Sequence, residues 1–176
     1  MELRDIYDID RQPTGGTGVR GEKLGCGEYH MVVHLGIFNS EGRMLIQRRC
    51  PQKATFPCKW DISVGGSALS GETSRQAMHR ELLEELGVDI DFSGIRPKLT
   101  VNFEHGFDDY YLICKDIDLA GLRLQEEEVM DARWADISEI FGLIDRGEFL
   151  PFMKSFIQLL FDMKCSPDNL DMKSTE

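Results

Sequence analysis

Long apolar runs are missing from this 176-residue chain. Nothing in it approaches the roughly 18 to 20 consecutive apolar residues that a membrane span requires. The opening stretch, MELRDIYDIDRQPTGG, lacks the basic and apolar regions of a signal peptide. Basic residues are scarce beside acidic ones: 20 Lys+Arg stand against 31 Asp+Glu, a net charge of −11. That balance excludes a general grip on nucleic acid, because release of phosphate counterions needs a basic surface. The five cysteines include no Cys-x-x-Cys pair, and their odd number fits reduced thiols better than a disulfide framework or a zinc site. These absences together predict a cytoplasmic protein with no membrane and no nucleic acid among its partners.

The residues that are present suit one folded domain. A hydrophobic fraction of 41% and a charged fraction of 29% are an ordinary soluble balance, and the length allows a core without metal or disulfide staples. Composition divides the chain into a Gly-rich extension at 1–27 that packs on or beside the domain, the domain at 28–165, and a polar tail at 166–176. Both ends read as loop-like. Between them, apolar runs at His30 to Phe38 and from Met44 flank the turn residues Asn39 to Gly42, the pattern of a hairpin. Trp60 to Val64 reads as a short strand ending at Gly65 and Gly66. Further strands are expected at Lys98 to Phe103, Tyr110 to Cys114 and Val129 to Trp134, with helices at Ile137 to Asp145 and Phe152 to Met163. Strands and helices in this order predict an α/β or α+β layered domain.

The segment GSALSGETSRQAMHRELLEELGV, Gly66 to Val88, carries the chemistry. Thr73 and Gln76 have capping-box spacing and Gly87 follows as a helix stop, which predicts a helix over Thr73 to Leu86. At 100° per residue, Glu81, Glu84 and Glu85 fall within an arc of about 100°, so three carboxylates share one face. Leu82 and Leu86 point toward a core, while Ser74 and Ala77 are small enough to leave room for a ligand beside the acids. Carboxylates crowded in this way repel one another unless cations neutralise them. Hard divalent cations prefer oxygen ligands, and the face offers several. Arg80, one turn before Glu84, is placed to pair with a carboxylate and hold it. The stretch Gly16 to Gly21 satisfies G-x-G-x-x-G, but no apolar strand leads into it, so a dinucleotide site is not expected there.

Position for position, the segment matches the Nudix box G-x5-E-x7-R-E-U-x-E-E-x-G-U, as Gly66, Glu72, Arg80, Glu81, Leu82, Glu84, Glu85, Gly87 and Val88. The chain therefore resembles the Nudix hydrolase superfamily. That resemblance implies an α/β/α sandwich with a mixed β-sheet and a loop-helix-loop, using Mg²⁺ or Mn²⁺ to cleave diphosphate linkages by water attack on phosphorus. It implies that Glu81, Glu84 and Glu85 are metal ligands, that the Gly66 region supplies a carbonyl ligand, and that Arg80 and Glu72 orient the acids. The general base is left open among Glu85, Glu104 and the run Gln125 to Glu128. The substrate would be a small-molecule diphosphate, and a homodimer stays open because relatives commonly dimerise.

Outside the box, Glu28-Tyr29-His30, Gln47-Arg48-Arg49, Phe56-Pro57 to Trp60 and Glu128-Val129-Met130-Asp131 to Trp134 resemble the isopentenyl-diphosphate isomerases of this superfamily. By that likeness Arg49 and Lys53 would hold the substrate diphosphate, His30 could touch phosphate, and Glu128 could supply a further metal ligand. The isomerases' catalytic cysteine, however, would fall at Gly65, and two of their metal histidines at Lys23 and Ser67. With that thiol missing and the box complete, hydrolysis is the expected reaction. Isomerisation and non-catalytic ligand sensing are the alternatives.

Overall fold

The computed structural model describes residues 2–164, so the expected tail at 166–176 lies outside the described residues. In chain order the elements are β1 (Leu3–Tyr7), β2 (Pro13–Val19), β3 (His30–Phe38), β4 (Met44–Arg49), β5 (Trp60–Asp61), β6 (Val64–Ser67), α1 (Ser74–Leu86), β7 (Leu99–Phe103), β8 (Gly106–Cys114), β9 (Val129–Ala135), α2 (Ile137–Asp145) and α3 (Lys154–Met163). They form two compact units. Among the described residues, one comprises 2–35 with Val64–Tyr111, the other Gly36–Ser63 with 112–164. Since β3 and β8 each run from one unit into the other, neither unit is continuous in sequence.

In the first unit the strands lie in the order β6, β3, β8, β7. β3 and β6 are antiparallel, with Val33 opposite Gly66 and His34 opposite Gly65. β7 and β8 form a tight hairpin closed by Phe103 opposite Gly106. Helix α1 starts at the N-cap Thr73, whose side chain accepts from the Gln76 amide while the Gln76 side chain answers the Thr73 amide. It stops at Gly87, where φ of +67° is open to glycine at little cost. Ala77, Met78, Leu82 and Leu86 on this helix are fully buried, and Phe92 meets Tyr111 edge-on at 5.6 Å. Ala77 thus belongs to the core, and Ser74 Oγ is hydrogen-bonded to Tyr111 Oη at 2.8 Å. The small residues fill packing positions instead of leaving space for a ligand.

The Gly-rich extension is not a loop. β1 and β2 pair antiparallel, Leu3 with Val19 and Arg4 with Gly18. The hairpin is tied down by a bridge between Tyr7 and Tyr29 and by Arg11, which bonds Asp109 at 2.9 Å and stacks its cation over Phe107. The glycines of β2 hid this strand: it is exposed almost throughout, so it carries no alternating apolar signal, and only its partner β1 buries Arg4, Ile6 and Tyr7. The G-x-G-x-x-G stretch lies in β2 and the turn after it.

In the second unit β4 is the central strand. It pairs with β3 at Phe38 and Met44, with β5 at Gln47 and Asp61, and along its length with β9. The expected β3–β4 hairpin is present, with Gly42 at φ +75° and the Asn39 carboxamide accepting from the Arg43 amide at 2.8 Å. These pairings are antiparallel; a parallel bridge between Trp60 and Phe149 makes the sheet mixed. The expected single strand over Trp60 to Val64 is two, because buried Ser63 turns its hydroxyl to bridge the Ile37 amide and the Leu45 carbonyl. Gly65 and Gly66 therefore sit inside β6 and do not end a strand. From α2, Ile140 and Leu143 are buried, as are Ile157, Leu160 and Phe161 from α3, where Phe161 packs edge-on to Phe38 at 5.0 Å.

Cys26, Cys50 and Cys58 are free thiols, but Cys114 is disulfide-bonded. The expectation of reduced cysteines throughout is corrected on that point; an odd count excludes complete pairing, not one pair. Among the described residues no helix is long and apolar enough to cross a membrane.

Candidate active site

The first unit assembles the acidic motif around one guanidinium. Arg80 projects from α1 and donates two parallel hydrogen bonds to Glu72, Nε at 2.7 Å and Nη2 at 2.9 Å. Nη2 also donates to the Ser67 carbonyl at 3.1 Å, and Nη1 to Glu84 at 2.9 Å. A planar fork can serve all of these acceptors at once, which the point charge of a lysine cannot. These bonds, opposed by burial, push the Arg80 pKa above its ordinary value. Glu72 also accepts from the Leu69 amide at 2.8 Å, closing the loop that leads into α1. The same loop is fastened from outside by Asp5 of β1, which takes the Ser70 hydroxyl at 2.6 Å and the Gly71 amide at 2.9 Å.

Burial alone would raise the Glu72 carboxyl, but its hydrogen bonds to Arg80 and the Leu69 amide hold it below the ordinary value of 4.5. A carboxylate with a lowered folded value stabilises the fold above its unfolded value, and that contribution is lost as pH falls through the folded one. The denaturation midpoint of the wild type should therefore exceed that of Glu72→Gln by a constant margin at neutral pH. That margin should shrink once the pH drops below about 4.5, which urea titrations at stepped pH will read. A margin independent of pH down to the acid limit would contradict the role given to the Glu72 charge.

The three carboxylates of the helix face differ in setting. Glu81 and Glu85 are buried, at 7% and 5% exposure, whereas the Glu84 side chain is about half exposed. Glu81 presses on the β6 backbone: a methyl group built on Gly66 would overlap its carboxylate outright. Arg80 Nη1 lies 3.0 Å from Glu81 Oε1 but off the line of a hydrogen bond, so that buried oxygen lacks a hydrogen-bond partner. Burial pushes the Glu81 carboxyl above 4.5, against the pull of Arg80. A buried carboxylate oxygen with no hydrogen-bond donor is costly, and the Arg80 charge at 3.0 Å offsets part of that cost. Among the described residues no three His, Cys, Asp or Glu side chains stand together as a closed metal cage; Glu84 is held by Arg80. The donor set nonetheless fits a hard divalent cation, since the orphan oxygen of Glu81, buried Glu85 and accessible Glu84 are all carboxylate oxygens on one helix.

The remaining expected residues are placed as follows. His30 is half-buried; its Nδ1 donates to the His105 carbonyl at 2.8 Å, and burial, with the nearby Arg4 charge, lowers its pKa. His34 stacks on Tyr110 at 4.6 Å and lies 3.3 Å from Asp108. Its Nδ1 would be 2.8 Å from a methyl group on Gly65. Glu104 is exposed at the β7–β8 turn. In the second unit Arg49 bonds the Thr55 carbonyl through Nη2 at 3.1 Å and lies 3.5 Å from Asp61. Lys53 is ion-paired with Glu128, so two residues expected to serve different ligands hold each other. Composition gave no sign of Asp5, which fastens the acidic loop from β1.

A family model described as "NUDIX domain" matches residues 28–160. The chain is 50% identical over 164 residues to an uncharacterised Nudix hydrolase of Listeria monocytogenes, a match covering 93% of this chain and 96% of that protein. It is 28% identical over 131 residues to an isopentenyl-diphosphate Delta-isomerase of Escherichia coli, covering 70% of this chain and 72% of the enzyme. A crystal structure from Deinococcus radiodurans superposes with a TM-score of 0.73 at 26% identity, over 94% of this chain and all of that one.

Proposed function

Because the chain belongs to the Nudix family, we propose that it is a diphosphohydrolase dependent on Mg²⁺ or Mn²⁺, cleaving the diphosphate linkage of a small organic or nucleoside diphosphate derivative by water attack on phosphorus. The observation that carries this is the acid face of α1, where buried Glu81, seated against Gly66 with Arg80 as the cationic neighbour of one oxygen, stands with buried Glu85 and accessible Glu84. Glu81, Glu84, Glu85 and the Gly66 carbonyl would hold the cation. A divalent ion there lowers the pKa of water and neutralises charge on a phosphate oxygen.

The chain's own residues do the positioning. Arg80 fixes Glu84 and, locked by Glu72, keeps its fork aimed at the acid face. Gly66 leaves the space that Glu81 occupies. Glu85, buried one residue from Glu84, is the carboxylate best placed to take the proton from water if it does not ligate. Arg49 and Lys53 remain candidates for substrate phosphate, although Lys53 would have to part from Glu128 to serve.

Isomerisation is disfavoured by position 65. Glycine provides no thiol, and a side chain there would meet the His34 ring. The test is turnover with Mg²⁺ on a panel of nucleotide sugars, dinucleotides, nucleoside di- and triphosphates and prenyl diphosphates. At least one member should be hydrolysed, and Glu84→Gln should slow it at least tenfold. Interconversion of the two C5 diphosphates without phosphate release would instead favour the isomerase, and binding without turnover a sensor.

A further inference from the structure

The N-terminal hairpin reaches the acidic loop through alternate residues of β1. The Leu3 carbonyl accepts from the Ser70 amide at 2.8 Å, and the Asp5 carboxylate accepts from the Ser70 hydroxyl at 2.6 Å and the Gly71 amide at 2.9 Å. Three bonds from one strand thus converge on two consecutive loop residues. Gly71 stands at φ +84°, where a side chain would be strained. The residue after it is Glu72, which receives the Arg80 fork, and before the turn the Ser67 carbonyl accepts from Arg80 Nη2. The loop is therefore held at its tip by β1 and at its two ends by Arg80. β1 is itself fixed, because Tyr7 exchanges two backbone hydrogen bonds with Tyr29. Beyond that bridge the hairpin is tied again, by Arg11 to Asp109.

What Asp5 fixes is the frame that carries Glu72 and the Ser67 carbonyl, and with them the direction of the guanidinium that anchors Glu84 at 2.9 Å. A carboxylate accepting two bonds from one turn restrains both its position and its tilt. Drift of about an ångström in a catalytic group is enough to cost about 10²-fold in rate. We propose that Asp5 is a positioning residue for the reaction: from β1 it locks the 67–72 loop so that Arg80 presents Glu84 to the cation. β1 precedes residue 28, where the family match begins, so the extension at 1–27 serves the site through this contact. The proposal rests on the hydrolase reading for the reaction that Asp5 serves.

Two measurements on the full chain test this: steady-state kinetics with Mg²⁺ on an active panel substrate, and binding of Mn²⁺ alone, followed by its electron paramagnetic resonance signal. Asp5→Ala should lower kcat about tenfold, keep KM within about twofold of the wild type and weaken Mn²⁺ binding about threefold. Asp5→Asn, which keeps one acceptor oxygen, should recover part of both losses. Arg11→Ala is the control. It releases the same hairpin from Asp109 and lowers the thermal midpoint, but Tyr7 still holds β1, so kcat and Mn²⁺ binding should match the wild type. If Asp5→Ala does not fold, Ser70→Ala decides, with kcat down about threefold. A kcat within about twofold of the wild type in the deciding variant, a loss confined to KM, or an equal loss in Arg11→Ala overturns the positioning role and leaves the hydrolase reading standing. If the wild type turns over no panel member, the hydrolase reading falls and Mn²⁺ binding decides alone. Weaker binding in the deciding variant but not in Arg11→Ala then keeps the role, and equal binding in all, equal weakening in both, or none in the wild type overturns it.

Discussion

Gly66→Ala should lower kcat/KM by about 10²- to 10³-fold while leaving the thermal midpoint within about 3 °C of the wild type. The added methyl group overlaps the end of the Glu81 side chain, not backbone. A glutamate has three rotatable bonds with which to swing away, so relief is cheap for the fold. It expels the carboxylate from its seat, however, and displacement of a catalytic group by an ångström is enough for losses of this size. Glu81→Gln should lose comparable activity by removing the charge directly. Its thermal midpoint should not fall, since burial disfavours the charged form of Glu81. The double variant should be no slower than the worse single one, because both remove the same interaction. Steady-state kinetics and melting curves on the three proteins read all of this. Losses that multiply in the double variant, or a Gly66→Ala protein with normal kinetics, would show that the Glu81 seat is not used.

The second large effect is on stability. Arg80→Ala should lower it by about 2–3 kcal/mol and the thermal midpoint by about 5–10 °C. The truncation removes the counter-charge of Glu72 and Glu81, whose side chains are only 18% and 9% exposed. Breaking such a cluster from one side leaves uncompensated carboxylates, which costs more than the ion pairs themselves contribute. Activity should fall about 10²-fold as well, through loss of the Glu84 anchor. Arg80→Lys keeps the charge but not the fork, so it should lie between the wild type and the alanine variant on both scales. A midpoint within 1 °C of the wild type in Arg80→Ala would contradict the hub role.

Helix α1 was legible in the sequence because its signals are local: the Thr73/Gln76 box, the Gly87 stop and the buried Leu82 and Leu86 each follow from spacing along the chain. So was the β3–β4 hairpin. The acidic motif was legible as a pattern, but the unequal exposure of its three acids was not. That inequality arises from Gly66 on β6, whose approach to Glu81 depends on the pairing of β6 with β3. Spacing also gave Arg80 one partner, Glu84, whereas the folded loop adds Glu72 and the Ser67 carbonyl. The N-terminal hairpin escaped notice for a related reason: its strands are held by pairing and by ties such as Arg11 to Asp109, 98 residues apart, which leave no periodic trace. In the second unit the Lys53–Glu128 pair joins positions 75 residues apart, again beyond local pattern.

The most direct test of cation-dependent hydrolysis at the Glu81 face is turnover of an active panel substrate in ¹⁸O-labelled water, with Mg²⁺ and with a chelator. Incorporation of label into a phosphate product, abolished by the chelator and by Glu81→Gln, is expected. Turnover that survives chelation, product free of label, or undiminished labelling by Glu81→Gln would contradict it.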